Sequence, residues 1–195
     1  MTEVDTMSNL KLRTIGGTWR TVAIIAMAFS LFCHATPVFA QAHCWTTVGS
    51  DGAVDEDDLS TVVLSANSAA VRGTITSATV DIRYNVVAVE GIFGGERNTK
   101  TLTARLADNG AAAQVIVRLQ QLNISTGVIT MLAELNSNAF PPSPVAQQRS
   151  TVFNCDRPEF NFQSNIYFFE VQLIKTGAGG NPLIRAIQIC GNGIC

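Results

Sequence analysis

Five carboxylates crowd into the eight positions from 51 to 58: Asp51, Asp55, Glu56, Asp57 and Asp58. Several hard oxygen donors with negative charge are what calcium requires, so Asp51, Asp55, Asp57 and Asp58 are candidate calcium ligands. The plainer role is a solvated acidic loop that blunts aggregation. Proton-shuttle chemistry has little to work with. The chain has two histidines, His34 and His43, and His34 falls in a leader. A Ser-His-Asp or Cys-His site needs an imidazole held firmly beside its nucleophile. Glu90, Glu96, Glu134 and Glu170 could act in pairs on a glycosidic bond, but no spacing singles out two of them. The expectation is a protein that is not an enzyme.

Binding without catalysis would use other residues. Sugar recognition favours exposed aromatic platforms, and Trp45, Tyr84 and Tyr167 are the candidates. Both tyrosines alternate in phase with core residues, which argues for burial, and Trp45 beside Cys44 could pack on a disulfide. Asn123-Ile-Ser125 is a formal N-glycosylation sequence placed in a turn.

The acidic stretch has a family resemblance. Asp51-Gly52, Val54, Asp55, Asp58 and Leu59 resemble the second half of a dockerin-type calcium loop, which implies calcium at these carboxylates. The earlier ligand positions of that loop fall on Thr47 and Gly49, which offer no carboxylate, and the duplicated segment of that family is missing. A cut after Ala42 would make His43 the first residue. There the chain resembles the copper-dependent polysaccharide monooxygenases, secreted β-sandwiches with an N-terminal histidine. That family's second copper histidine has no counterpart after position 43.

The address is read from the first 42 residues. Lys11, Arg13 and Arg20 precede the short apolar run Val22–Cys33, and small residues permit cleavage after Ala40 or Ala42. This is the layout of a cleavable signal peptide, and the run is short for a membrane span. Residues 43–195 then form a single domain, secreted or extracytoplasmic, whether periplasmic, extracellular or at the cell surface. Its net charge lies near −3, with both signs scattered. Without a basic stripe, nucleic acid is excluded as a partner. Without a second long apolar run, no membrane contact is expected beyond the signal peptide. Cys44, Cys155, Cys190 and Cys195 survive cleavage, an even number suited to disulfides in an oxidising compartment. Three pairings are open. A clip from Cys44 to the C-terminal region is preferred over the short Cys190–Cys195 loop, because it restricts the unfolded chain more.

Alternating patterns supply the elements. Tyr167, Phe169, Val171 and Leu173 point one way, and Phe168, Glu170 and Gln172 the other. The glycine-rich segment 175–182 then leads to a return strand over Leu183–Cys190. Thr76–Val89 and Lys100–Leu106 alternate likewise. Ala111–Leu122 and Val128–Leu132 read as strand–turn–strand, and Leu59–Ala66 as a strand. Gly91–Asn98 reads as a glycine-rich loop. Pro141, Pro142 and Pro144 predict a loop or extended linker over Ser137–Gln148. Phe160 and Phe162 should tuck beneath a loop over Asp156–Gln163. Seven to nine short strands without a long helix predict an all-β protein, an antiparallel two-sheet sandwich of jelly-roll type. The function this supports is a binding or adhesion module for a carbohydrate or protein ligand. The alternative is a structural or assembly subunit of a secreted or cell-surface complex. Oligomeric state is not legible in the sequence.

Overall fold

The computed structural model describes residues 43–88, 98–153 and 160–194, with side chains over 44–88, 100–153 and 160–191. The leader, most of the Gly91–Asn98 loop, Glu90, Glu96, Cys155 and Cys195 lie outside the described residues. Eleven strands are described: β1 (His43–Val48), β2 (Ala53–Val54), β3 (Val62–Leu64), β4 (Ala69–Val71), β5 (Ala78–Val86), β6 (Asn98–Asp108), β7 (Ala113–Asn123), β8 (Ile129–Asn136), β9 (Ser143–Phe153), β10 (Asn165–Lys175) and β11 (Leu183–Ile194). Single 3-10 turns occupy Glu56–Asp58 and Ser137–Ala139.

Two antiparallel sheets result. The front sheet runs β2-β5-β10-β7-β8. The back sheet runs β3-β4-β11-β6-β9, with β1 also paired to β11. From β4 onward the chain keeps changing sheets, with only β7 and β8 joined as a hairpin within one. The orders β4-β11-β6-β9 and β5-β10-β7-β8 are those of an eight-stranded jelly roll, in which first and last strands become neighbours. The expected fold class is what the chain adopts.

Two expectations change. The strands over 165–175 and 183–194 are not hairpin partners: β10 lies between β5 and β7, whereas β11 lies between β6 and the β1 and β4 edge. Both strands are rich in buried positions, so each lies within its own sheet and the glycine-rich connection crosses between layers. The proline segment is also partly strand. β9 begins at Ser143 and carries Pro144, which an edge strand tolerates because the missing N–H faces no partner.

The core fills the space between the sheets. Tyr167, Phe169, Val171 and Leu173 of β10 point inward with Val115, Val117 and Leu119 of β7 and Val80, Ile82 and Tyr84 of β5. Leu102, Ala104 and Leu106 of β6 face them, with Ile184, Ile187 and Ile189 of β11. The change of phase within β11 comes from a bulge: Ile184 pairs with Leu106 and Ala186 with Arg105, so Arg185 is the extra residue. Phe160 is buried, and Phe160 and Phe162 pack on Tyr167 with centroids 4.5 and 4.9 Å away, as expected.

Candidate functional site

Once odd positions of β10 point inward, its even positions face solvent, and register fixes their neighbours. Gln172 lies between Asp81 of β5 and Ile116 of β7. Glu170 lies between Arg83 and Arg118. Phe168 lies between Asn85 and Gln120, and Ile166 is opposite Leu122. On β8, Glu134 is opposite Arg118, Met131 opposite Gln120 and Ile129 opposite Leu122. A bulge permits this: Leu119 pairs with Ala133 and Gln120 with Met131, so Leu132 is the extra residue. Glu134 and Met131 therefore share the outer face despite their odd separation.

These side chains are bonded to one another. Gln172 Nε2 donates to Asp81 Oδ1 at 2.9 Å. Arg118 Nη1 donates to Gln172 Oε1 at 2.8 Å, and Arg118 Nε to Glu134 Oε2 at 2.8 Å. Gln120 Nε2 donates to Glu170 Oε2 at 2.9 Å, and Glu170 Oε1 lies 3.8 Å from Arg118 Nη1. The array crosses β5, β10, β7 and β8. Arg118 and Glu170 are about one-quarter exposed along their side chains, at 24% and 26%. Ion pairs this exposed add only about 0.2–1 kcal/mol to stability. Their larger effect is to fix the directions of amides, carboxylates and a guanidinium on one face of the sheet. Next to the array the face turns apolar, with Phe168 half-buried and Met131, Ile129 and Ile166 exposed.

The aromatic candidates lie elsewhere. Trp45 is 8% exposed and stacks on Phe169 at 5.4 Å between centroids. Tyr84 and Tyr167 are each 2% exposed. The Tyr84 hydroxyl donates to the Gly49 carbonyl at 2.6 Å, and the Tyr167 hydroxyl accepts from the Asn161 N–H at 2.8 Å. These rings are core, because their inward phase leaves no face for a ligand. The acidic stretch also disperses. Asp55 caps the 3-10 turn by accepting from the Asp57 N–H, Asp58 accepts from the Asp81 N–H across to β5, and Asp51 accepts from the Thr47 hydroxyl. Among the described residues, no three His, Cys, Asp or Glu side chains gather in a way that could hold a metal. Asn123 is likewise engaged: its side-chain oxygen accepts from Ser125 and Thr126, and its amide donates to Asn165.

The disulfide joins Cys44 to Cys190, direct neighbours across β1 and β11. This is the preferred clip between Cys44 and the C-terminal region.

Sequence reasoning passed over Arg118, Gln120, Phe168, Gln172 and Asp81 as a group. A signal existed: outward positions of β7 and β10 both carry long planar polar side chains at spacing two. Without register, nothing said that they met.

No protein-family model matches the chain, and no curated protein matches it. Among solved structures it is similar to a xylan-binding module, CBM15, at TM-score 0.48 and 9% identity, over 79% of this chain and 99% of that one. It is similar to the C-terminal CBM6 of LamC, a marine laminarinase from Zobellia galactanivorans, at TM-score 0.39 and 15% identity, over 76% and 99%. It is also similar to the structure of infectious bursal disease virus Gx strain, at TM-score 0.36 and 10% identity, over 79% of this chain and 33% of that one. None of these likenesses is strong enough to say what this chain binds.

Proposed function

We propose that the protein is a non-catalytic binding module outside the cytoplasm, and that it holds a carbohydrate chain on the outer face of the front sheet. The observation that carries this reading is the hydrogen-bonded array from Asp81 through Gln172 and Arg118 to Glu134. Side chains on a merely solvated face move independently. Here they are held in place before any ligand arrives, which lowers the ordering cost of binding. Planar amides, carboxylates and guanidinium groups offer paired donors and acceptors suited to adjacent sugar hydroxyls, and Phe168 offers an apolar surface beside them. Asp81, Glu134 and Glu170 outnumber Arg83 and Arg118, so the face suits an uncharged chain and repels a polyuronate. A disulfide between first and last strands fits an oxidising compartment.

The test is affinity electrophoresis against immobilised neutral β-glucan, xylan and mannan, with polygalacturonate as the charged comparison. At least one neutral polymer should retard the protein. Gln172→Ala and Phe168→Ala should each weaken that retardation tenfold or more, equivalent to about 1.4 kcal/mol. No retardation by any carbohydrate overturns the reading.

A specific observation favours a second reading, an assembly subunit. Ile124, Val128, Ile129 and Ile166 are exposed at 57%, 58%, 56% and 46%, around the β7–β8 turn and the adjoining end of β10. Apolar residues gathered this way mark a contact surface. Sedimentation over a concentration series would show self-association that Ile129→Ser abolishes; a strict monomer removes this alternative.

A further inference from the structure

The outer face of the front sheet does not stop at Gln172. Two residues on, Ile174 is opposite Gln114, and both line a cleft of about 400 Å³. That volume lies within the range of about 300–1,000 Å³ usual for small-molecule sites. Asp108, Asn138, Phe140 and Thr176 complete its working walls. They come from the β6–β7 turn, the 3-10 turn after β8 and the end of β10, so three connections converge where the sheet ends. From Ile166 to Ile174, β10 covers about 27 Å, at roughly 3.4 Å per residue. Its outward residues lead from the apolar end, past the polar array, to the cleft.

Asp108 is the unusual wall. It is 5% exposed and accepts from the Gly110 N–H at 3.0 Å and from the Ser137 hydroxyl. Ser137 in turn accepts from the Val115 N–H at 2.9 Å. Neither ion pair among the described side chains involves Asp108. A carboxylate has about four lone-pair sites, so two donors leave acceptor capacity for a ligand hydroxyl. Hydrogen bonds to a charged acceptor are stronger than neutral ones. The Gln114 amide, held by its bond to Asn136 Oδ1 at 3.0 Å, and the Phe140 ring add a polar edge and an apolar wall.

We propose that this cleft is a second sugar subsite, which takes one end of the chain lying along β10, with Asp108 accepting a hydroxyl and Phe140 lining the pocket. The proposal rests on the carbohydrate reading of the sheet face. Its consequence is length dependence. A short oligosaccharide fits the array alone, whereas a longer one also fills the cleft.

The probes are neutral β-linked gluco- and xylo-oligosaccharides from disaccharide to hexasaccharide, titrated into the labelled protein and followed by side-chain amide resonances. Affinity should rise at least fivefold along the series that binds. The Gln114 and Asn138 amides should shift only with the longer members, and those of Gln120 and Gln172 with all. The double variant Gln114→Ala, Asn138→Ala should lose the gain with length yet keep wild-type affinity for the shortest binder. Asp108→Asn, which retains size and one acceptor, should weaken only the longer members. Shifts at Gln120 and Gln172 without any at Gln114 and Asn138 overturn the cleft and leave the sheet face standing. Shifts confined to the cleft overturn both the array and the chain path along β10, and with that path the role of the cleft as a second subsite. Silence at all four amides overturns both.

Discussion

Tyr84 shows how one residue type can invite a functional reading and serve a structural one. Its ring lies in the core, yet its hydroxyl needs a partner, and the Gly49 carbonyl provides it at 2.6 Å. Tyr84→Phe should leave that carbonyl unpaired and cost about 1–3 kcal/mol in a denaturant titration, without altering ligand binding. Burial first, and the nearby Asp51 charge second, push the Tyr84 hydroxyl well above its ordinary pKa of 10. Burial also raises Tyr167, against the opposing hydrogen bonds from Asn161 and Asn165. The folded state therefore holds these protons more tightly than the unfolded chain. Their contribution to stability is whole below pH 10 and is lost as pH climbs from there through the folded values. The thermal midpoint should fall as pH rises above about 10, and fall less in Tyr84→Phe. An equal fall in both proteins would assign the effect to other groups.

At the scale of elements, the layer crossing from β10 to β11 depends on Gly180. A Cβ there would sit 1.9 Å from the Ala112 carbonyl oxygen, so backbone must move to admit it. Gly180→Ala should cost about 1–3 kcal/mol of unfolding free energy, as overpacking does elsewhere. An unchanged urea midpoint would mean that the connection is free to shift. This crossing also marks the boundary of what sequence could say. The alternation of Tyr167 to Leu173 was legible because inward and outward phases follow from a two-residue period alone. Which strand lay alongside was not legible, because a glycine-rich connection of this length serves a hairpin and a crossover equally well. Pro144 misled for a related reason: proline bars a central strand, but no local signal announced that β9 is an edge. The binding face was hidden by the same gap. Arg118 and Gln172 are 54 positions apart, and their contact exists only through the β7–β10 register. The extra residue Leu132, which brings Glu134 and Met131 to one face, has no signature in composition.

For the molecule as a whole, the jelly-roll order sets what the disulfide must do. Among the described strands β1 pairs only with β11, yet it carries Trp45 into the core against Phe169. The two halves of this edge are 146 residues apart, so their pairing bears nearly the largest loop-closure cost the domain can impose. Joining Cys44 to Cys190 removes that cost in advance by restricting the unfolded chain, an effect of about 5 kcal/mol at this loop length and about 2–5 kcal/mol in typical cases. The paired variant Cys44→Ser, Cys190→Ser should therefore unfold at markedly lower denaturant. Because β1 lies at one edge, the damage should begin there. Trp45 emission should shift to longer wavelength before far-ultraviolet circular dichroism reports loss of strand. The bond joins two strands of the back sheet, whereas Arg118 lies on the outer face of the front sheet, so the array should keep its ligand affinity until global unfolding. Coincident transitions for Trp45 and for the strands would show that β1 does not open separately. Unchanged stability in the serine pair would refute the claim that the clip bears the closure cost.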